Sequence, residues 1–340
     1  MSRFHAHSGA RAALRSAASA LALCALASAP AGAKARFTTF DVTGAAGTYP
    51  LAINAAGSVT GYYHTTSGNE DHGFVRTPDG TITSFDPSGS ELTMPGGING
   101  RGVIVGYYQI GEVVHGFLRR ANGKVERIDV QGAASTYLFA VNDANTVTGS
   151  YLEGSTVIYG FVQGAGGSVT SFGVTGAVVT EPLAINAEGD VTGVYFDYSD
   201  VYHGFVRTAD GTITTFDGSG CASAGTDPTG IDNKGTVSGF CTTTSGNDFV
   251  RAPDGTITMF DPYGSTGTSA NGINRSGAII GDYLADDLLH GFLRTRNGKT
   301  ISFDPKTSIA TYPWAINAAG AIAGYYSDGS SIIHGFLRSP

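Results

Sequence analysis

Residues 51–86 read LAINAAGSVTGYYHTTSGNEDHGFVRTPDGTITSFD, and the rest of the chain repeats this stretch with variations. The phenylalanine of its HGF triplet recurs at intervals of 43 or 44 residues, as Phe74, Phe117, Phe161, Phe205, Phe249, Phe292 and Phe336. A period of this length, built from β-type segments and glycine turns, is typical of propellers. The sequence therefore predicts an all-β fold, a seven-bladed β-propeller of four-stranded antiparallel blades.

Each repeat reads as four short strands, which we call A, B, C and D. In the quoted stretch they are Leu51–Asn54, Ser58–Tyr63, His72–Arg76 and Thr81–Asp86, rich in β-branched and aromatic residues. The A–B and C–D links are tight turns with Asn, Asp and Gly, whereas the B–C and D–A links run to roughly ten residues. In a four-stranded meander both long links lie on one face, which we call the top face.

The two ends of the repeat region complement each other. Arg36–Asp41 reads as a strand D with no A, B or C before it, and His334–Arg338 as a strand C with no D after it. We therefore expect the N-terminal strand to complete the C-terminal blade and close the ring, which leaves no free sheet edge. An open solenoid is the alternative, and it would need capping units instead.

Residues 1–35 do not belong to the repeat. Three arginines precede an apolar run, Ala17–Ala33, which closes on Ala31-Gly32-Ala33 or Ala33-Lys34-Ala35. This pattern predicts a cleaved secretory signal peptide and a secreted protein, extracellular or periplasmic. A membrane anchor is the alternative, but the run is short and its alanines are only weakly apolar. Residues 36–340 show no linker, so we expect a single domain, monomeric and without a membrane span.

The charge of the chain excludes one class of partner and favours others. Four of the 20 basic residues precede the repeats, so 16 remain against 28 acidic residues and the net charge is −12. Phosphate is repelled by such a surface, which argues against nucleic acid. The predicted B–C loops carry no Lys or Arg, and their acidic residues are Glu70, Asp71, Glu112, Glu153, Asp197, Asp200, Asp282, Asp286, Asp287 and Asp328. A negative top face suits a carbohydrate or a cationic partner, although a solvated rim that aids solubility is the alternative.

Most recurring polar residues are interpreted as structural. Counting back from each C–D turn pairs a strand-C histidine with a strand-D aspartate in five blades: His72–Asp86, His115–Asp129, His203–Asp217, His290–Asp304 and His334–Asp41. Such a pair can act as a general base, but five copies are not five active sites, and cross-strand polar pairs stabilise sheets. The repeated strand-C arginines are interpreted in the same way. No calcium loop, other metal site, cofactor site or catalytic residue is predicted.

The residues that vary between repeats carry more information about function. Three residues before each strand-A asparagine (Asp232 in the fifth blade) the chain has Leu51, Gly96, Phe139, Leu183, Thr229, Asn271 and Trp314, which we call the variable series. If A is the innermost strand, this series lines the channel. Trp314 and Phe139 then offer stacking faces to a sugar or aromatic ligand, with Tyr326 and the hydroxyl-accepting Asp328 beside them. Packing between blades is the alternative role for these aromatic rings.

Cys221 and Cys241 are the only cysteines that follow the predicted signal peptide. Export to an oxidising compartment favours a disulfide between them. Two free, buried thiols are the alternative.

The pattern A-I-N-x-x-G-x-x-x-G followed by H-G-F-[VL]-R resembles the HAF-type repeats of bacterial extracellular proteins, with Gly for Ala in the triplet. The resemblance covers Arg36–Pro340. It implies a secreted, propeller-like protein, and it brings no established activity or site residues.

These observations predict a secreted, non-enzymatic β-propeller that binds a glycan, cation or protein through its acidic, loop-bearing face. The alternative is a glycan-directed lyase or hydrolase with its site at the mouth of the central channel, although no established catalytic spacing occurs. A purely structural surface protein is a third possibility. Acidic residues that converge beside an aromatic group would favour the enzyme, and an evenly spread rim would favour binding.

Overall fold

The computed structural model describes residues 35–65, 70–154, 156–199, 201–221, 225–242 and 247–340, so the predicted signal peptide lies outside the described residues. The regular structure of these ranges consists of 28 β-strands. Within them, no helix is long and apolar enough to cross a membrane.

The strands form seven successive antiparallel groups of four, which we call blades 1 to 7. In each blade A pairs with B, B with C and C with D. The A strands are β2 (Ala45–Ile53), β6 (Leu92–Ile98), β10 (Ser135–Val141), β14 (Val179–Ile185), β18 (Thr226–Ile231), β22 (Gly267–Ile273) and β26 (Ser308–Ile316). The B strands are β3 (Val59–Thr65), β7 (Ile104–Ile110), β11 (Val147–Glu153), β15 (Val191–Phe196), β19 (Val237–Cys241), β23 (Ile279–Ala285) and β27 (Ile322–Asp328).

The outer half of each blade is shorter. The C strands are β4 (Asp71–Arg76), β8 (Val113–Arg119), β12 (Val157–Gln163), β16 (Tyr202–Arg207), β20 (Asp248–Arg251), β24 (Leu288–Arg294) and β28 (Ile333–Arg338). The D strands are β5 (Ile82–Phe85), β9 (Val125–Ile128), β13 (Val169–Phe172), β17 (Ile213–Phe216), β21 (Ile257–Phe260), β25 (Thr300–Phe303) and β1 (Phe37–Phe40).

The N-terminal strand belongs to the last blade. β1 pairs antiparallel with β28, in a register that runs from Phe37 opposite Arg338 to Phe40 opposite Gly335. The A strands of successive blades contact each other from β2 to β26, and β26 in turn contacts β2. The pairing predicted for the two ends of the repeat region is therefore present.

A chain of asparagine side chains links the ends of the A strands. The amide of Asn54 donates to the backbone carbonyl of Asn99 in the next blade, at 3.0 Å, and the same bond recurs around the molecule. The amide of Asn317 in blade 7 donates to the carbonyl of Asn54 in blade 1, at 3.0 Å. Blade 5 interrupts the chain, because Asp232 stands there and a carboxylate has no N–H to donate.

The recurring phenylalanines form the core between blades. Each recurring phenylalanine is fully buried, and in every blade but the third the strand-D ring of the preceding blade packs against it edge-on, as Phe40 does on Phe74 at 6.2 Å. The strand-C arginine covers the other side of the strand-D ring, with the Arg76 guanidinium carbon 5.0 Å from the centre of Phe40. Cation–π contacts of this kind stabilise the interface. The structural role predicted for the repeated arginines is confirmed.

The strand-B glycine of the repeat is required by a close approach of backbones. Strand A carries a β-bulge in every blade, between Pro50 and Ala52 in blade 1. A Cβ atom on Gly61 would lie 2.0 Å from the carbonyl oxygen of Tyr49, beside this bulge. Only glycine fits there, which explains its recurrence after each A–B turn.

The predicted histidine–aspartate pairs are present in all five blades. The Nδ1 atom of His72 lies 2.8 Å from Asp86, and the equivalent distances are between 2.7 and 3.2 Å in the other four pairs. Each imidazole also lies against a strand-B tyrosine ring, as His72 does on Tyr63 at 5.2 Å. These pairs tie the end of strand D to strand C, as expected of a repeated structural contact.

The predicted disulfide is also confirmed. Cys221 and Cys241 are bonded, with their Cα atoms 5.2 Å apart. Both side chains are buried, and the bond ties the D–A loop before blade 5 to the end of its strand B.

Candidate functional site

A cavity of about 270 Å³ lies between the A strands of the seven blades. Phe139 and Trp314 lie in its wall, with Gly96, Leu183, Thr229 and Asn271 of the same variable series. The wall continues through the small residues that follow and ends at an isoleucine or valine in each blade, such as Ile53. Strand A is therefore the innermost strand, as the variable series requires.

The variable series coincides with the β-bulge of each A strand. The pairing of β26 with β27 shifts register between Pro313 and Ala315, so that Trp314 lies at the bulge. The same shift occurs at Phe139 in blade 3 and at Asn271 in blade 6. Bulges re-aim side chains, so these residues are presented to the axis while the rest of the strand keeps its pairing.

A group of stacked aromatic rings lies beside Trp314. The ring of Tyr325 is 6.2 Å from Trp314 and stacks on Tyr312 at 4.8 Å. It meets Tyr49 of blade 1 edge-on at 5.2 Å, and Tyr49 stacks on Tyr62 at 4.7 Å. Blades 7 and 1 thus share one continuous aromatic surface.

A second group of rings follows in blades 2 and 3. Tyr107 meets Tyr137 edge-on at 5.1 Å, and both rings lie 6.3 Å from Phe139. Burial, with Glu181 and Asp71 nearby, raises the pKa of Tyr107 to about 12. Burial likewise raises the pKa of Tyr137, with Tyr107 and Glu181 adding to the effect. Both phenols therefore keep their protons at neutral pH and can donate hydrogen bonds.

Blades 4 and 5 replace these rings with carboxyl groups. The residue two places before the variable series lies nearer the top face, and it is Tyr49, Met94, Tyr137, Glu181, Asp227, Ser269 and Tyr312 in blades 1 to 7. We call this set the upper ring. Glu181 and Asp227 are only 6% and 2% exposed. Along the chain, an aromatic arc in blades 7 to 3, where Tyr107 of strand B supplies the ring of blade 2, is therefore followed by an acidic arc in blades 4 and 5.

Asp282 adds a buried carboxyl group in blade 6, next to the acidic arc. The sequence predicts this residue in a B–C loop, but it lies within β23 and is 2% exposed. Its Oδ1 atom accepts a hydrogen bond of 2.8 Å from the Asn271 amide, in the cavity wall. The same amide donates to the carbonyl of Pro313, next to Trp314.

Tyr326 and Asp328 are not brought to the cavity wall with Trp314 and Phe139. Tyr326 is 6% exposed and packs in a core cluster with Phe303 and Phe336. Side chains alternate along a strand, so Tyr325, paired with Tyr312, faces Trp314 instead. Asp328 accepts the N–H groups of Ser330 and Ile332 and contacts His334, and so it holds the B–C turn of blade 7.

His64 and Asp71 form a further histidine–aspartate pair, which the repeat does not predict. They are opposite each other at the ends of β3 and β4 and make an ion pair. The His64 ring lies 5.1 Å from Tyr49 and 5.5 Å from Tyr62. A comparison of the seven repeats would have found the pair, because no other repeat has a histidine and an aspartate at the positions equivalent to His64 and Asp71.

Blade 5 carries a second unpredicted carboxyl group. Asp248 replaces the glycine of the HGF triplet and is fully buried. In blade 3, a Cβ on the equivalent Gly160 would lie 2.9 Å from Pro182 of the next blade. Blade 6 has Ala270 where that proline stands, and its freed N–H donates to Asp248 at 2.6 Å. The two departures from the repeat compensate each other.

The buried Asp248 makes stability depend on pH. Burial raises its pKa well above the usual value, with Asp282 and Asp261 adding to the effect. Because the folded pKa is raised, the stability is complete below the unfolded pKa, about 3.9, and falls as pH rises through the folded pKa. Asp248→Asn keeps an oxygen for the Ala270 N–H and removes the charge. We expect it to raise the melting temperature at pH 8 and to change it little at pH 4, in thermal unfolding followed by circular dichroism.

The control for this experiment is Asp254→Asn. Asp254 lies in an exposed turn, where the N–H of Thr256 lowers its pKa, so its replacement should not stabilise the protein at pH 8. Equal effects of Asp248→Asn at both pH values would contradict the prediction.

No family model matches the chain, and no curated protein matches its sequence. Solved structures do match. A streptogramin B lyase superposes with a TM-score of 0.60 at 12% identity, over 89% of this chain and 97% of the lyase. Virginiamycin B lyase from Staphylococcus aureus gives 0.58 at 14% identity, over 89% and 99%. The β-propeller domain of the Trilobed protease from Pyrococcus furiosus gives 0.59 at 7% identity, over 86% and 94%. The chain therefore has a β-propeller fold.

Proposed function

We propose that this protein is a secreted, seven-bladed β-propeller that binds a small ligand at the mouth of its channel, on the top face. The ligand combines an apolar ring face with hydroxyl groups or a positive charge, as a carbohydrate or an organic amine does. One observation carries the proposal: aromatic rings and buried carboxyl groups occupy equivalent positions of the innermost strands in neighbouring blades.

Three contacts support closure of the seven blades into a single ring. β1 pairs with β28, β26 contacts β2, and the Asn317 amide reaches the Asn54 carbonyl. The disulfide supports export, because such bonds persist in oxidising compartments. The pattern of residues 1–35 supports it independently.

The chemistry of the mouth selects against anions. Tyrosine and tryptophan faces stack on the C–H surface of a sugar ring or hold a cation above the ring. Glu181 and Asp227 accept hydroxyl hydrogen bonds or neutralise an ammonium group. An anionic ligand would meet like charge without a compensating base in the adjoining B–C loops, whose sequences contain neither Lys nor Arg.

Trp314 is the only tryptophan of the chain, so its fluorescence reports on this one site. We expect neutral oligosaccharides or organic amines, but not sugar acids, to change its emission saturably in titrations of the mature protein. A streptogramin B, for which one of the similar structures is named, belongs in the panel. Trp314→Ala should weaken binding, measured by calorimetry, by about 1–2 kcal/mol or roughly tenfold.

The matched control is Tyr263→Ala, which removes an aromatic ring from a fully exposed position in a D–A loop. It should leave affinity unchanged. If Trp314→Ala fails to fold, Trp314→Phe keeps a stacking face and should retain most of the affinity. Wild-type affinity in a folded Trp314→Ala protein would place the site elsewhere.

The second candidate is a glycan-directed lyase or hydrolase at the same mouth. It is favoured by the three buried carboxyl groups of successive blades 4 to 6, Glu181, Asp227 and Asp282, the last of which lies opposite Ser269 of the upper ring. Incubation of the mature protein with neutral oligosaccharides, followed by mass spectrometry, would detect cleavage of the chains. Binding without cleavage would contradict the enzyme and support the binding function only.

A further inference from the structure

The position that pairs His64 of strand B with Asp71 of strand C can be compared with the equivalent position of the other blades. We call this position the row. Where the row is paired in other blades, the two residues are Gln109 and Val114, Leu152 and Ile158, Phe196 and Tyr202, Leu284 and Leu289, and Ser327 and Ile333. None of these joins an imidazole to a carboxylate. In the other blades these two positions are therefore filled mainly by apolar side chains. Packing of the blade does not require the ionic pair of blade 1.

The exposure of this pair is the reverse of that in the repeated pair of the same blade. The side chain of His64 is 38% exposed and that of Asp71 is 15% exposed. In the repeated pair, His72 is 24% exposed and Asp86 is 34% exposed. Asp71 is thus the shielded partner that holds the ring, and His64 is the partner that a ligand can reach.

The pair also belongs to the candidate binding site. The side chains of His64, Tyr49 and Tyr62 meet in one cluster, with ring centres 4.7 to 5.5 Å apart. Burial raises the pKa of Tyr49, with Asp71 and Tyr312 adding to the effect, so that its hydroxyl remains a donor at neutral pH. A proton acceptor and a neutral hydrogen-bond donor therefore lie side by side on the aromatic arc.

We propose that His64 and Asp71 form the proton-transfer pair of an ester hydrolase site at the channel mouth, acting on acylated carbohydrates. The inference rests on the proposed function, since the aromatic arc that stacks on the sugar would hold its acyl group beside His64. Asp71 engages Nδ1 of His64, which leaves Nε2 for proton exchange with the bound substrate.

In the first step, the oxygen of a water molecule adds to the acyl carbon as Nε2 takes one of its protons. The carbonyl electron pair moves to the carbonyl oxygen, which the Tyr49 hydroxyl stabilises by a hydrogen bond. When the carbonyl re-forms, the bond between the acyl carbon and the sugar oxygen breaks, and the imidazolium gives its proton to that oxygen. One water is consumed, one carboxylic acid and one sugar hydroxyl are released, and no oxidant or reductant is needed.

The test uses the mature protein with 4-nitrophenyl acetate and with acetylated xylo-oligosaccharides as probes. We expect release of acetate from both, and His64→Gln should lower kcat/KM by about 100-fold or more, the usual contribution of a general base. Asp71→Asn should change the pH–rate profile of the enzyme, which the loss of a merely structural residue would not do. The ionisable neighbours in the ring cluster are Asp71, Tyr49 and Tyr62.

The matched control is His72→Gln, which removes the repeated pair of the same blade and should leave kcat/KM unchanged. Trp314 fluorescence with unacetylated xylo-oligosaccharides, measured on every variant, separates the two proposals. Binding without acetate release by the wild type would overturn the ester hydrolase and leave the binding function intact. Hydrolysis that survives His64→Gln, or that falls equally in His72→Gln, would also overturn the ester hydrolase. If the wild type shows no binding and no hydrolysis, both proposals are overturned.

Discussion

A chain that begins at residue 42 should melt about 10 °C or more below one that begins at residue 35. The deletion removes β1, so β28 loses the backbone partners that run from Phe37 to Phe40. It also removes the Phe37 ring from its place 6.1 Å from Phe303 and 5.9 Å from Phe336. The edge of blade 7 then lies open to pairing with other molecules. Calorimetric melting and size-exclusion chromatography of the two chains would measure both effects.

The control for the deletion changes β1 without removing it. Thr38 and Thr39 are exposed, so replacing both by Ser should alter the free energy of unfolding by less than about 0.5 kcal/mol. Equal melting temperatures for the two chain lengths would show that β1 does not hold the blades together.

Phe205→Ala should lower the free energy of unfolding by about 3–5 kcal/mol, because it empties a fully buried position between two blades. The Phe172 ring of the preceding blade packs edge-on against Phe205 at 5.9 Å, and the Arg207 guanidinium lies 5.0 Å from the centre of Phe172. The variant removes the contact of Phe205 with Phe172 and leaves the Phe172 ring, on which Arg207 stacks, without its packing partner. Urea denaturation followed by circular dichroism would measure the loss.

Tyr198→Ala is the matched control in the same blade. It removes an aromatic ring of similar size that is 84% exposed, so the expected change is within about 0.5 kcal/mol. Similar losses for the two variants would mean that the HGF phenylalanine is not the centre of the blade interface.

The fold was predictable because it depends on what recurs. The spacing of the HGF phenylalanines, the turn glycines and the complementary chain ends each state a local requirement that every blade repeats. The disulfide was predictable by elimination, since only Cys221 and Cys241 follow the predicted signal peptide. Trp314 and Phe139 could be predicted to line the channel because they occupy the one strand-A position that varies from repeat to repeat.

The rest of the candidate site depends on register, which the sequence did not determine. Tyr325 and Tyr326 are adjacent in β27, so their side chains point to opposite faces of the sheet. A register error of one residue therefore places Tyr326, and not Tyr325, beside Trp314. Asp71 and Asp282 are predicted in B–C loops and His64 is not predicted at all, because β3, β4 and β23 extend further towards the top face than the sequence indicates. Asp248 was overlooked because its significance depends on Ala270, 22 residues away in the next blade.

The pairing of β1 with β28 also has a consequence for the order of folding. The N–H of Arg36 donates to the hydroxyl of Ser339, 303 residues further along the chain, so the first strand to be synthesised acquires its partner last. Until then, blades 1 to 6 can assemble from contacts within and between neighbouring repeats, while blade 7 waits for a strand from the far end. Such long-range pairing slows folding and leaves intermediates with open edges. If the chain is exported unfolded, as its predicted signal peptide implies, the pairing of β1 with β28 is delayed until the whole chain has been exported.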